Sequence, residues 1–498
     1  MALLFLYVLR PISDPDVFWH LKTGEWIWQN KALPLSDPFS FTTRPPAGSR
    51  EAALLTLHWL SQVTYHALFS LAGLWGLMLL RGVLVATLVF VMFKRNRGDF
   101  LLYAGLLILF LVALLETYPL DRPQVFSFLF FGILLYILER KPERPLASPA
   151  SRLLWLPLLM FLWANYHPGY VLGIATIALY MTMELLRQLH PSLSPLEQRD
   201  LKHLLAAGGL GIVCSLINPN TYHALEVLNM PQYHAIANVE YRTALSFMRD
   251  FKDYSMGIFF FLVLVTAAGI AVNFKKSDIT EVVLIAGTGY FSLMTVRYVP
   301  FFLIAALPAA SRAFSQKHLL QWARAALLAI SFFAALFFGA NEIKNVEAVL
   351  SGTLIDESNY PAKAADFIIA NDLGGNMYNH YDWGGYLIWR LGPQRKVFID
   401  GRALDEEINR VSLAINMAQV RPGIVEWKSL LDLYHINYIV TTPFWQSGAA
   451  LPLTNELMKD RDWVLVFSES STMIFVRDVP ANARVISHYS LPKKILYR

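Results

Sequence analysis

One cysteine in 498 residues, Cys214, excludes an intrachain disulfide and suggests no thiol metal site. Its neighbours are apolar, so it reads as a small buried hydrophobe. Charge is scarce as well: Asp, Glu, Lys and Arg make up 16% of the chain, against 55% hydrophobic and 14% aromatic residues. That balance excludes an ordinary soluble domain. The net charge of +5 does not point to nucleic acid, because the basic residues fall in small groups between apolar runs and not in one patch. Repeats with periods of roughly 20 to 50 residues are missing, which excludes a solenoid or propeller, and so are low-complexity tracts.

What the chain has instead is long apolar runs. A membrane-spanning helix needs about 20 apolar residues, and candidates lie near residues 65 to 93, 100 to 118, 124 to 139, 153 to 164, 169 to 187, 203 to 217, 256 to 273, 281 to 294, 298 to 312 and 321 to 340. The fold class expected is therefore a polytopic α-helical membrane protein with about ten or eleven transmembrane helices. Basic residues orient it. Lys94, Arg95 and Arg97, then Arg140, Lys141, Arg144 and Arg152, then Arg187, Arg199 and Lys202, Lys275 and Lys276, and Arg312 and Lys317 occupy alternate loops, which the positive-inside rule assigns to the cytoplasm. The opposite face then receives residues 10 to 64, 119 to 123, 165 to 168, 218 to 255, 295 to 297 and the tail. The first run, "MALLFLYVL", is too short to span. Either a longer first helix begins upstream, or this is a partial helix packed on its neighbours.

Composition changes near residue 341. Charges become dense, and short strand-like runs appear: "GNMYN", "KVFIDG", "INYIVTT", "WVLVFS" and "STMIFVRD". Helical patterns at 361 to 371 and 423 to 433 alternate with them. The chain is thus expected to divide into a membrane domain, residues 1 to 340, whose outer-face loop covers 10 to 64, and a C-terminal extracytoplasmic α/β domain, residues 341 to 498.

Chemistry gathers on the outer face. In "RPISDPDVFWHLKTGEWIWQN", residues 10 to 30, Asp14 suits a helix N-cap, Pro15 the first helical position and Asp16 the first turn. A capped helix accounts for both acids without any function. Asp16 and His20, four residues apart, would share a helix face and present it outward, while Val17, Leu21 and Trp28 rest on the membrane interface. Asp37, His58, Trp59, Arg122, Asn165, His167, Asn218, Glu240 and Arg297 stand at or near the outer ends of apolar runs. Ionisable groups at membrane depth are costly and mark sites by default, although an arginine there can simply snorkel to phosphate. In the tail, Tyr378, Tyr381 and Trp383 offer aromatic faces beside Asp382, Gly384 and Gly385 permit a tight turn, and Asp400 and Arg402 suit a local ion pair after a strand.

The stretches "DPDVFWHLKTGEWI", "LPLSDPFSFT", "HWLSQV", "DRPQVFSF", "WANYHPGYVLG" and "RYVPFF" resemble motifs of polytopic GT-C superfamily glycosyltransferases. That group includes protein O-mannosyltransferases, aminoarabinose transferase and the catalytic subunit of oligosaccharyltransferase. The resemblance covers about residues 10 to 312. The region 378 to 402, "YNHYDWGGYLIWRLGPQRKVFIDGR", is similar in layout to the "WWDYG" region of oligosaccharyltransferase, but the doubled tryptophan is absent, so sequon recognition is not carried over.

The resemblance implies transfer of a sugar from a polyprenyl-phosphate-linked donor to a lipid or protein acceptor at the outer face of a bacterial inner membrane, in contact with membrane lipid and with no nucleic acid. Asp14 or Asp16 would be the base or, alternatively, hold Mg or Mn. Arg122, His167, Arg297 and His58 would bind the donor phosphate; His20, Trp19, Asp37, Asn165, Glu240, Tyr381, Asp382 and Trp383 would line the substrate site. A flippase for a lipid-linked sugar and a noncatalytic assembly protein on the same scaffold are the other classes weighed. The clustering of polar groups at one face, without repeated halves, argues against the first of these.

Overall fold

The computed structural model describes residues 2–45, 48–96, 99–118, 120–139, 152–190, 198–228, 239–253, 255–273, 277–313, 321–357, 360–418, 426–445, 448–469 and 471–493. Of the basic loop residues used to orient the chain, Arg97, Arg140, Lys141, Arg144, Lys275, Lys276 and Lys317 lie outside these ranges, as does the start of the helix expected at 423 to 433. The chain forms two compact units. One comprises Met1–Pro11, Leu57–Ser61 and Leu68–Leu354, the other Ile12–Thr56, Gln62–Ala67 and Ile355–Arg498. The change of composition at residue 341 falls inside the helix Gln321–Leu350.

The first unit is helical. Among the described residues of the chain, Ala52–Arg95, Phe100–Thr117, Tyr170–Leu189, Ser255–Val272 and Gln321–Leu350 are long and apolar enough to cross a membrane; Gln124–Leu138, Leu156–Tyr166 and Ile279–Met294 are shorter apolar helices. This is a polytopic membrane architecture. Phe100–Thr117 is its centre, packed against Ser255–Val272, Val299–Ala313 and Gln321–Leu350. It buries residues around its whole circumference, as a helix apolar on every face must.

The run expected over 65 to 93 is broken. The helix Trp59–Arg95 is interrupted at Ala72 and Gly73, where Gly73 takes φ 59 and ψ −144, a conformation open to glycine alone. Beyond it the helix continues to Arg95. That residue, read above as part of a cytoplasmic loop, is fully buried: its guanidinium pairs with Glu139 at 2.5 Å and donates to the Ile304 carbonyl at 2.5 Å. It pins two helix ends to the middle of Val299–Ala313, since a buried guanidinium must have its donors satisfied. Similar pins are Arg187 with Asp278 at 2.5 Å and Arg81 with Asp121 at 2.9 Å. The short first helix, Ala2–Val8, is held through Tyr7, which donates to Glu116 at 2.6 Å, and Arg10, which bridges Glu116 and Glu342.

The second unit is built on a four-stranded mixed sheet in the order β1-β2-β4-β3, with β1 Asn376–Asn379, β2 Ile436–Thr441, β3 Trp463–Glu469 and β4 Thr472–Arg477. β1 and β2 are parallel; the other pairings are antiparallel. Its core packs Ile436, Ile439, Leu465 and Phe475 of the strands against Ile408, Ile415, Leu431 and Leu457 from the helices. Four of the five expected strands are present and the helix expected at 361 to 371 is Ala362–Ala370. The fifth strand, "KVFIDG", is not in the sheet. Asn379 takes over its hydrogen bonding, with Oδ1 accepting from Phe398 N at 2.8 Å and Nδ2 donating to the Ile399 carbonyl at 2.8 Å, while Val397 pairs with Phe39 and Phe41.

From Ile12 onward the opening stretch belongs to this unit. Its helix, Asp16–Asn30, packs on Gly384–Leu391: the Phe18 ring lies about 5 Å from those of Tyr360, Tyr386 and Trp389. Val17 and Leu21, expected to rest on the membrane interface, are buried in protein.

Candidate functional site

In the second unit, segments separated by more than 350 residues of chain form one polar cluster around Arg402. Its guanidinium donates to both oxygens of Asp37, at 2.7 and 3.0 Å, and to both oxygens of Asp400, each at 2.7 Å. The ion pair expected within "FIDGR" is therefore half of a larger clamp. Asp37 is also bonded by the Phe39 and Ser40 amides at 3.1 and 3.2 Å and by the Ser40 hydroxyl. Burial works against ionisation of Asp37, but the Arg402 charge and these hydrogen bonds outweigh it and hold the carboxyl below the ordinary range. Burial likewise opposes the charge on Arg402, and its two carboxylates raise its pKa in spite of that. Asp37, expected to touch substrate, is a structural anchor with its side chain wholly enclosed.

Beside the clamp stand the two acids of the opening stretch. Asp14 is buried and its Oδ1 accepts from the Asp16 amide at 2.8 Å, so it holds the first turn from two residues before the helix, whose N-cap is Pro15. Asp16 is half-buried and its Oδ1 accepts from Trp19 Nε1 at 3.1 Å. Gly401 leaves room for it: a Cβ there would sit 2.3 Å from Asp16 Oδ1. Tyr381 closes the same corner, its hydroxyl donating to the Gly401 carbonyl at 3.3 Å. The "YDWGG" and "FIDGR" motifs of the tail and the "DPD" of the opening stretch thus meet within one unit, which sequence reading treated as separate features.

The other expected residues of this unit divide. Asp382 keeps nearly half of its side chain exposed and lies 3.8 Å from His380, whose pKa burial lowers against the opposing pull of Asp382. His20 does not face outward. It is buried, its ring tilted against that of Trp19 with centroids 3.5 Å apart, and its Nδ1 lies 3.3 Å from Gln62 Nε2. Trp19 and Trp383 are buried too, and Tyr378 is a core residue bonded to Asn416 Oδ1 at 2.9 Å. Gly384 and Gly385 do not make a turn. They open a helix that approaches other backbone closely, a Cβ on Gly384 falling 2.2 Å from the Ile399 carbonyl and one on Gly385 2.5 Å from that of Pro15.

These approaches separate structure from chemistry. Gly384→Ala would drive a methyl into fixed backbone and is expected to destabilise the unit by roughly 3 kcal/mol. Gly401→Ala meets only the tip of a short side chain, so it should cost about 1 kcal/mol or less while displacing the Asp16 carboxylate. Thermal unfolding of the two variants checks the contrast; equal losses would mean that the Asp16 side chain is as rigid as the backbone.

A second cluster lies in the helical unit, where every member stands at a helix end. His58 precedes Trp59–Arg95, Arg122 precedes Gln124–Leu138, His167 lies between Leu156–Tyr166 and Tyr170–Leu189, and Arg297 between Ile279–Met294 and Val299–Ala313. Arg122 donates to Glu240 at 2.6 Å, and Arg297 to the Tyr241 hydroxyl at 2.8 Å. Backbone ties join these pairs: Thr295 Oγ1 donates to the Glu240 carbonyl at 2.8 Å and the Val296 amide to that of Arg242 at 3.0 Å. The charge of Arg297 reaches both His58 and His167, whose rings lie 5.3 Å apart.

The tautomer of His167 follows from its partners. Its Nδ1 accepts from the Gly169 amide at 3.0 Å, so the proton of the neutral ring sits on Nε2. Ser127 Oγ, 2.7 Å from the same Nδ1, receives the Trp163 indole N–H at 2.7 Å and so turns its own hydrogen toward His167. A Trp163–Ser127–His167 relay thereby fixes a neutral imidazole as a donor. Sequence reading quoted Ser127 within "DRPQVFSF" without singling it out; nothing local marks it. Asn165 accepts from Trp59 Nε1 at 2.9 Å and donates to the Phe161 and Ile217 carbonyls, each at 2.8 Å. It ties segments together, whereas Asn218 bonds locally, to the Ser215 carbonyl at 2.8 Å.

Among the described residues, no group of three or more His, Cys, Asp or Glu side chains is placed to hold a metal ion. Asp14 and Asp16 alone make a thin ligand set, with Asp14 Oδ1 accepting from the Asp16 amide and Asp16 Oδ1 from Trp19.

No protein-family model matches the chain, and no curated protein sequence does. Solved structures do. The archaeal oligosaccharyltransferase AglB from Archaeoglobus fulgidus, in complex with an inhibitory peptide and a dolichol-phosphate, aligns at 10% identity over 96% of this chain and 74% of its own, with a TM-score of 0.56. ArnT from Cupriavidus metallidurans, bound to undecaprenyl phosphate, aligns at 12% identity over 96% of each chain, with a TM-score of 0.55. At such identities the likeness speaks for the fold alone: a polytopic helical membrane architecture with a C-terminal extramembrane domain.

Proposed function

We propose that this chain is a membrane glycosyltransferase that moves a sugar from a polyprenyl-phosphate-linked donor to a lipid or protein acceptor, at the extracytoplasmic face of a bacterial inner membrane. The observation that carries the reading is the gathering of Arg122, Arg297 and a donor-fixed, neutral His167 at helix ends of the membrane unit. Two guanidiniums and imidazole N–H groups at membrane depth suit a phosphate ester, whose leaving oxygen gains charge as the sugar C–O bond breaks. In the other unit, Asp16 is the candidate base. A carboxylate of this kind can take the proton of an acceptor hydroxyl. Tyr381 and Asp382, both half-buried, offer aromatic and polar surface for the acceptor. Mg or Mn belongs to the proposal only as an additive to be tested, and no step is routed through it.

The test is thermal stabilisation of the purified full chain by undecaprenyl phosphate, with and without Mg or Mn. We expect a saturable rise in the unfolding midpoint that is weakened in Arg122→Ala and retained in Asp16→Asn, since the latter acts after donor binding. No rise with any polyprenyl phosphate, in protein that is folded, would overturn the reading and leave a noncatalytic assembly role on the same scaffold.

A further inference from the structure

A short helix, Ala244–Phe251, sits where two apolar helices of the first unit reach their ends. Thr243 caps it, accepting from the Ser246 amide at 3.2 Å, and Lys252 closes it in the left-handed conformation. Both flanks are tied down. Upstream, the Val296 amide, just past the end of Ile279–Met294, donates to the Arg242 carbonyl at 3.0 Å. Downstream, Asp253 Oδ1 accepts at 2.8 Å from the amide of Ser255, which opens Ser255–Val272. The short helix packs on both of these longer ones. Its level is that of the membrane boundary, because Ser255–Val272 is long and apolar enough to span and begins there.

With helical spacing, Ala244, Leu245, Phe247, Met248 and Phe251 share one broad face, and Ser246, Arg249 and Asp250 take the other. Packing on the longer helices buries Ala244, yet Leu245 stays 64% and Phe251 41% exposed. The apolar surface does not stop there: Tyr290, Phe291 and Met294, in the last turns of Ile279–Met294, are exposed as well. Positive charge stands beside it. Arg242 and Arg249 share the one carboxylate of Asp250, at 2.7 and 2.9 Å, Asp253 is turned to the next helix, and Lys252 adds a third cation.

We propose that Ala244–Phe251 is an interfacial helix, lying in the headgroup layer of the bilayer with Leu245 and Phe251 among acyl chains and Arg249 and Lys252 on phospholipid phosphates. A helix of this design beds its apolar face about 5 to 10 Å into the boundary between headgroups and acyl chains. A long cationic side chain at the edge of that face keeps its stem in the apolar layer and its charge at the phosphates. The occupant is lipid and not protein, because the face continues the surface that the membrane helices already give to acyl chains and its rim is cationic. The anchored segment carries Glu240 and Tyr241, the partners of Arg122 and Arg297. Sugar transfer plays no part in the placement, so either can fail alone.

The experiment puts an NBD fluorophore at Leu245→Cys, Phe251→Cys or Ser246→Cys of the full chain, each with Cys214→Ser. The proteins are reconstituted in phosphatidylcholine vesicles whose acyl chains carry bromine either near the headgroup or near the chain end. Labels at Leu245→Cys and Phe251→Cys should lose emission to the shallow bromines, much less to the deep ones, and little to aqueous iodide. The Ser246→Cys label, on the opposite face, should lose emission to iodide and not to bromine. Equal bromine quenching at all three positions would overturn the proposal, because the helix would then be immersed in the bilayer. Labels at Leu245→Cys and Phe251→Cys that ignore bromine would overturn it too: iodide quenching would mean water on that face, and quenching by neither would mean a second copy or another protein segment. Both positions are exposed, so labelling leaves the core intact, and either variant decides the outcome if the other misfolds.

Discussion

Replacing Arg402 with alanine is expected to destabilise the second unit by about 3 to 5 kcal/mol, a large part of a typical domain's stability of roughly 5 to 15 kcal/mol. The physical reason is the charge left behind. Asp37 and Asp400 are both buried against this one guanidinium, and without it two carboxylates face each other in a poorly solvated site. The pair's net worth in the intact protein is far smaller than this figure, because much of the loss is the desolvation of the orphaned acids. Asp37→Asn should therefore cost less than Arg402→Ala, since Asp400 still neutralises the guanidinium. Unfolding followed by tryptophan fluorescence and limited proteolysis would check the order; the reverse ranking would mean that the clamp acts through Asp37 alone.

The same clamp sets a pH dependence. Asp37 has a folded pKa below its unfolded value of about 3.9, so its contribution is present above that value and is lost as pH falls through the folded pKa. His380 is also depressed, from about 6.5, and its neutral form favours the folded state, so its share begins to fall away earlier on acidification. Both signs agree: this unit should weaken as pH drops from 7 toward 4 and further below. In Arg402→Ala the portion below about pH 4 should flatten.

The second large effect is on binding. Arg297→Ala is expected to weaken undecaprenyl phosphate binding by roughly 30- to 1,000-fold, about 2 to 4 kcal/mol for a charge-assisted contact in a water-poor site. Arg297→Lys should recover part of this, since a lysine restores the charge but not the planar fork that also reaches Tyr241. Titration of both variants measures it. Full affinity in Arg297→Ala would remove this residue from the phosphate site and shift attention to Arg122.

Local pattern made much of this fold legible. The strands β1 to β4 stand out because each is a short β-branched or aromatic run between turn residues, and the spans because lipid demands continuous apolar length. What escaped is set by long-range partners. "KVFIDG" has the composition of a strand, but Asn379 competes for its backbone. Arg95 looks like a loop cation until Glu139 and Ile304 enclose it. The pairing of Asp37 with Arg402 spans 365 residues, and no local signal reports it. Gly73 could have been noticed as a glycine within an apolar helix, yet its φ of 59 is a property of the break and not of its neighbours. The candidate-site acids were found as residue types; which of them are anchors and which stand open was decided by the fold.

The discontinuous make-up of the second unit also bears on how the protein is made. Its first segment, with Asp14, Asp16 and Asp37, emerges early, while the sheet and Arg402 come after residue 355. At typical rates of chain elongation, Asp37 waits roughly 20 to 70 s for its counter-ion. Throughout that interval the helices of the other unit are being inserted and the opening segment has no core to join. Assembly of the candidate base thus becomes a late event in biosynthesis, and a chain released before residue 402 would carry the membrane helices without a formed Asp37 anchor.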